Sequence, residues 1–275
     1  MARFIFALIA VCLALPALAQ ERRPSHCIAI ADAAPELRYV HKASFRDPVP
    51  EYSVRISYID HSMFLVQTEG GLSAVTDYNG HLGTADFIPD VVTMNHAHST
   101  HWTPFPDPAI ANVLRGWPEE GGTMANHHLE LGEMLVRNVP TDIRSGYGGV
   151  ETNGNSIFVF EVGGLCVGHL GHLHHEPNAN QYAALGRLDV VMAAVDGGST
   201  VDLPTMIRIL KRLKSSVVIP MHWYGRGTLD YFLSGMAQDF DVVDEGANSL
   251  VVSLRTLPDR PTVHILQPQR LRDEG

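Results

Sequence analysis

The chain has 275 residues, 45% of them apolar and 18% charged, so it can bury a large core, and global disorder is excluded. Its 20 Lys and Arg stand against 30 Asp and Glu, a formal charge of −10 that argues against a nucleic-acid partner. Histidine is the outlier: of 15, ten lie between His96 and His222.

In chain order, residues 1–19 read as an export signal. Arg3 supplies a positive start, Phe4 to Leu15 is an unbroken apolar run, and Ala17-Leu18-Ala19 fits the small-x-small cleavage pattern. The run is shorter than the roughly 20 residues a spanning helix needs, so the reading is a cleaved signal without stable membrane insertion. The expected location is periplasmic or secreted, with the mature chain starting at Gln20. Cys27 and Cys166 then remain, 139 positions apart, and whether they pair stays open.

Residues 20–51 carry Pro24, Pro35, Pro48 and Pro50 and read as an extended lead-in to a single domain over 52–275. Val54, Ile56 and Tyr58 alternate with polar residues, and Met63 to Gln67, Leu72 to Thr76 and Asp90 to Met94 follow as strands. Two hairpins are predicted, Leu129–Leu131 with Met134–Val139 and Ile157–Phe160 with Leu165–Val167, and 146–154 reads as a flexible segment. The second half alternates: a short helix over Asn178–Leu185, a strand over Leu188–Val195, a helix over Leu203–Leu213 and a strand over Val217–Pro220. A helix over Leu229–Met236 and closing strands at Leu250–Leu254 and Thr262–Leu266 complete it. Hairpins followed by strand–helix alternation predict an α/β chain with two sheets and helices outside them.

The chemistry sits at strand ends. His96 and His98 follow a predicted strand at i and i+2, so both can face one ion, and His101 follows after a turn. His169, His172, His174 and His175 crowd the end of another strand, and not all four can ligate one centre. His222 ends a third. Neutral imidazole at this density points to a first-row transition metal. Trp102, Phe105, Trp117, Trp223 and Tyr224 flank these motifs as a candidate apolar wall for a small organic substrate.

Together these motifs resemble the metallo-β-lactamase-fold hydrolases, particularly the branch like ascorbate-6-phosphate lactonase, over residues 52–266. Tyr58 to Val66 is similar to that branch's opening strand, with Asp60 in place of a glycine, and Leu72 to Asp77 to its second strand. His96, His98 and His101 match the signature His-x-His-x-Asp-His, with Thr100 where its aspartate belongs. His172 stands where the resemblance expects a bridging aspartate, and Val218 to His222 matches a C-terminal Pro-x-His.

The resemblance implies an αββα sandwich of two mixed sheets, with His96, His98, His101, His172 and His222 as metal ligands. It implies that Asp77 orients a histidine and that His61 lines the pocket; Asp142 or Asp196 would be a proton acceptor, a ligand, or neither. The implied activity is hydrolysis of an ester-type bond, in a lactone, another cyclic ester, a β-lactam or a phosphoester, by metal-bound hydroxide. A non-catalytic periplasmic metal-binding protein of the same fold is the alternative. With neutral side chains in place of both aspartates, two dications ~4 Å apart would repel by roughly 16 kcal/mol at an effective dielectric near 20. One ion per chain is therefore expected, Zn2+ first, with Mn2+ or Fe2+ as alternatives.

Overall fold

The computed structural model describes residues 25–29, 44–119 and 124–273; the predicted signal lies outside them. A helical turn, α1 (His26–Ala29), precedes β1 (Val54–Asp60), β2 (Met63–Thr68), β3 (Ser73–Val75), β4 (Val91–Met94) and β5 (Asn112–Arg115). A second series follows: β6 (His128–Leu131), β7 (Met134–Arg144), β8 (Val150–Val162) and β9 (Leu165–His169). Strands and helices then alternate through α2 (Ala179–Leu185), β10 (Val190–Ala194), α3 (Leu203–Leu213), β11 (Val217–Met221) and α4 (Arg226–Met236). The chain ends with β12 (Asp241–Asp244), β13 (Ser249–Val252) and β14 (Thr262–Ile265).

These strands form two mixed sheets. One has six strands in the order β13-β1-β2-β3-β4-β5, the other eight in the order β12-β14-β11-β10-β9-β8-β7-β6. Within the larger sheet, β9, β10, β11, β14 and β12 are parallel and the hairpin strands antiparallel.

The period of two decides what each face meets. On β8, Phe158 and Phe160 point into the layer between the sheets, against Ile56, Phe64 and Val66, while Ile157 and Val159 point toward the helices. On β10, Val190, Met192 and Ala194 face the other sheet, and Val191 and Ala193 face the helices. Both faces of the central strands are buried, which is why Leu188–Val195 reads as an unbroken apolar run. The third helix shows the complementary pattern: Asp202 caps it by accepting from the Thr205 N–H at 3.0 Å. Leu203, Met206, Ile209 and Leu210 form its buried stripe, and Lys214, left-handed at φ 54°, ends it.

The two mixed sheets match the expected sandwich. Among the described residues, the long helices cover the eight-stranded sheet, and the outer face of the other, built from Met63, Leu65, Val75 and Val92, is covered by irregular chain bearing Phe45, Leu82, Phe87 and Trp102. Two expectations need correction. The segment 146–154 is not a loose connection: β7 and β8 pair antiparallel from Met134↔Val162 out to Arg144↔Val150, with a bulge near Asp142 and a turn over 145–149. Two strands had no apolar run to announce them, β5 and β12; both are sheet edges with half-exposed or exposed side chains. Cys27 and Cys166 form a disulfide that staples α1 to β9, and the Arg187 N–H donates to the Cys27 carbonyl at 2.9 Å, tying the lead-in to the domain.

Candidate metal centre

Five strand ends converge on one edge of the sandwich. The β1–β2 turn delivers His61, the end of β3 delivers Asp77, β4 leads into His96, β9 into His172 and β11 into His222. His61, Asp77 and His222 adopt positive φ, at 44°, 48° and 62°. Asp and His tolerate the left-handed region better than most residues, yet each such residue stores on the order of 1–3 kcal/mol that the surroundings must offset. The surroundings are visible. The His222 N–H donates to the His61 carbonyl at 2.9 Å, and the Tyr58 hydroxyl donates to that same carbonyl while lying 3.3 Å from the His222 nitrogen. Asp60, the departure from glycine, pairs at the surface with Arg270.

His61, His101 and His222 bring one ring nitrogen each within 4.8 Å of one another. His101 is fully buried; its Nδ1 lies 2.6 Å from Asp77 Oδ2 and 3.1 Å from the Ser62 hydroxyl. His222 Nδ1 lies 3.0 Å from Asp196 Oδ2. Each Nδ1 facing a carboxylate favours the Nδ1–H tautomer and leaves Nε2 as a bare acceptor. Those two Nε2 atoms face each other at 3.2 Å. Two lone pairs at that distance repel unless a cation lies between them. The separation also suits a tetrahedral zinc site, whose nitrogen ligands at about 2.0–2.1 Å from the ion lie roughly 3.3 Å apart. His61 Nε2, buried and without a partner among the described residues, is the third donor.

The carboxylates behind this set are held ionised. Burial would raise the Asp77 carboxyl, but the charge and hydrogen bond of His101, His169 and the Asn95 N–H outweigh it and pull it below the usual range. Asp196 is lowered likewise: burial opposes, and His222, the Gly198 N–H, and the hydroxyl and N–H of Thr200 prevail. Arg144 donates to the carbonyls of Gly198, Ser199 and Thr200, pinning the loop that carries Asp196.

A second group lies alongside. His96, His98 and His172 stack nearly parallel, with His172 5.4 Å from each of the others by ring centroid and 4.6 Å from His101. His96 Nδ1 lies 2.6 Å from the Gly154 carbonyl, which leaves its Nε2 free, while His98 is exposed. Burial, followed by repulsion from His101, His174, His96 and His222, pushes His172 down to about 2. Burial, then His222 and His101, lowers His61 to about 4. Both rings are thus neutral, the state a metal requires.

The remaining candidates sort by their contacts. Asp142 is not among the gathered donors; its Oδ1 accepts the Asn153 N–H at 2.9 Å inside the β7–β8 bulge. Among the described residues, the hydrogen-bond and ion-pair contacts of Asp196 go to His222 and its own loop, so it buttresses His222 rather than standing free as a base. His169 donates from Nε2 to the Ser62 carbonyl at 2.7 Å and accepts the Gly171 N–H at Nδ1, which makes it a support beneath the site. Of the expected aromatic wall, Trp102 and Trp117 pack edge to face over the six-stranded sheet, and Trp223 packs in the core against Tyr58. Phe105 is exposed, and only Tyr224 stands beside the donors, 5.5 Å from His222 and 5.8 Å from His61. The resemblance implies pocket lining for His61, and the structure brings it among the donors; its place after a strand, like the other histidines, is the sequence signal for that.

Residues 55–222, more than half of the chain, match the family model described as a beta-lactamase superfamily domain. The chain belongs to this superfamily. It is 20% identical over 195 residues to a UPF0173 protein of Pyrococcus abyssi, a match covering 65% of this chain and 89% of that one. Among solved structures, it is similar to a candidate Zn-dependent hydrolase of the metallo-β-lactamase superfamily from Thermotoga maritima. That likeness has a TM-score of 0.56 at 23% identity and covers 78% of this chain and all of the other. The metallo hydrolase Igni18 from Ignicoccus hospitalis is similar with a TM-score of 0.54 at 18% identity, over 79% of this chain and 96% of that one. At these identities the two structures establish the fold.

Proposed function

We propose that the protein is a metal-dependent hydrolase of ester-type bonds, with one tightly held ion at His61, His101 and His222. The observation that carries the reading is the pair of Nε2 acceptors facing each other at 3.2 Å, each backed by a buried carboxylate. Zinc suits an all-imidazole set, with Mn2+ or Fe2+ as alternatives. A bound dication supplies a water of lowered pKa and polarises the electrophilic oxygen of the substrate.

The chain's own residues do the rest. Asp77 and Asp196 hold the rings of His101 and His222 in the ligating tautomer, and their two negative charges offset one dication. No carboxylate is left among the gathered donors to offset a second, which favours single occupancy. His96, His98 and His172 form the neutral, partly open side on which a substrate would sit, and Tyr224 offers it an aromatic face. The substrate class follows the resemblance to the ascorbate-6-phosphate lactonase branch: a lactone or other cyclic ester, with β-lactams and phosphoesters as further members of the panel.

The test is metal content of the purified protein together with turnover of a lactone, β-lactam and phosphodiester panel, before and after chelation. Chelation should abolish turnover and zinc should restore it. Bound metal with no turnover on any substrate would instead support a non-catalytic metal-binding protein.

We also propose that the chain is exported and cleaved after Ala19. The Cys27–Cys166 disulfide supports residence in an oxidising compartment. Intact-mass analysis of periplasmic protein should give a chain starting at Gln20; recovery only from cytosol with Met1 in place would overturn this.

A further inference from the structure

His174 lies outside both groups of donors and is held in an informative way. Its Nδ1 accepts the backbone N–H of Arg144 at 2.8 Å, a bond made across the end of the β7–β8 hairpin. A nitrogen that accepts carries no proton, so this ring is not an imidazolium, and its single proton resides on Nε2. An Nε2–H cannot ligate a metal. That same Nε2 is buried and has no hydrogen-bond partner among the described residues, and the ring lies 4.7 Å from the ring of His172 by centroid. A buried N–H without an acceptor is uncommon in a folded protein, and beside a cluster of ligand-type residues it is a donor available to a bound oxygen.

We propose that His174 Nε2–H is the hydrogen-bond donor for an anionic oxygen of whatever molecule occupies the histidine centre. Building on the hydrolase reading, that oxygen is the one on which negative charge develops as the ester carbonyl or phosphorus is attacked. The proton stays on Nε2 throughout, so no proton transfer is required of the ring. Such a donor is preorganised: Arg144 fixes the tautomer from one side, and the same arginine's side chain, bound to the 198–200 carbonyls, fixes the hairpin end that supplies it.

The geometry supplies its own control. An asparagine at this position places an amide oxygen near the Nδ1 position, where it can accept the Arg144 N–H, but puts nothing at the Nε2 position; a glutamine reaches the latter. Zinc-loaded wild type, His174→Ala, His174→Asn and His174→Gln are compared by elemental analysis, by thermal melting and by calorimetric titration with inorganic phosphate, a tetrahedral oxyanion. All four should hold the same zinc. Phosphate should bind about ten- to hundred-fold more weakly to the Ala and Asn variants, with Gln recovering part of the loss. Long-range proton–nitrogen correlation on wild type should show the Nε2–H tautomer at His174. On any substrate that the wild type turns over, kcat in the Asn variant should fall about 10²-fold with KM little changed. Loss of zinc in the Asn variant, an Nδ1–H tautomer, or equal phosphate affinity in wild type and Asn overturns the proposal. A phosphate difference without turnover by any of the proteins leaves the donor standing and defeats the hydrolase reading instead.

Discussion

At the scale of single residues, a histidine becomes a ligand through what stands behind it. The Nδ1 of His101 is engaged by Asp77 and Ser62 and that of His222 faces Asp196, so both present Nε2 to the same point. His101→Ala or His222→Ala should therefore abolish tight zinc binding in elemental analysis after dialysis. Asp77→Asn, which removes only the buttress, should weaken affinity about 10- to 100-fold. His98→Ala, an exposed member of the other group, should keep the tight ion; its loss there would move the site to His96, His98 and His172. The depressed rings also set a pH dependence. His61 and His174, at about 4 in the folded protein, and His172, at about 2, take up protons more readily when unfolded, near 6.5. The unfolded state binds more protons throughout that window, so stability is full above about 6.5 and falls as pH drops toward 4. Melting of metal-free protein between pH 7.5 and 4.5 should show that decline, and a flat melting temperature would contradict it.

At the scale of elements, the turns after the strands matter as much as the strands. Gly171, at φ +61°, leads from β9 into His172, and a Cβ there would lie 2.4 Å from Asn95 Nδ2 and 2.7 Å from Asn155 Oδ1. Both neighbours are committed: Asn95 donates to the Ser156 carbonyl at 2.7 Å, and Asn155 accepts the His172 N–H at 2.9 Å. Gly171→Ala should cost at least about 1–3 kcal/mol in denaturant titration and misplace His172. The strand ends were legible because apolar runs stop where the histidines begin. The β5 and β12 edges were not, because a half-exposed edge strand needs no continuous apolar pattern. Nor was the outer reach of the β7–β8 hairpin: its polar residues, from Pro140 to Arg144 and Val150 to Ser156, are held by cross-strand pairing. Single-sequence patterning cannot see that partner.

At the scale of the molecule, the disulfide closes a span of 139 residues between the lead-in and β9. Closing so long a loop restricts the unfolded chain, and its removal should cost about 2–5 kcal/mol. Cys27→Ala with Cys166→Ala should lower the melting temperature of oxidised protein to that of reduced wild type; an unchanged melting temperature would show that the staple adds nothing. The residues that determine their own surroundings were readable one segment at a time. They include the doubly buried strands, the amphipathic α3 with its Asp202 cap, and the histidines that end strands. What only the tertiary structure decided is which of those histidines share a point in space. His61 and His222 are 161 positions apart, and they meet because the sandwich folds the β1–β2 turn onto the end of β11, where the Tyr58 hydroxyl holds the His61 carbonyl beside the His222 nitrogen. Asp196 and His174 acquire their parts in the same way, from a loop and a hairpin end that Arg144 ties together. Local pattern encodes burial and period, but convergence depends on register and crossover between strands distant in sequence, and no local window contains both partners.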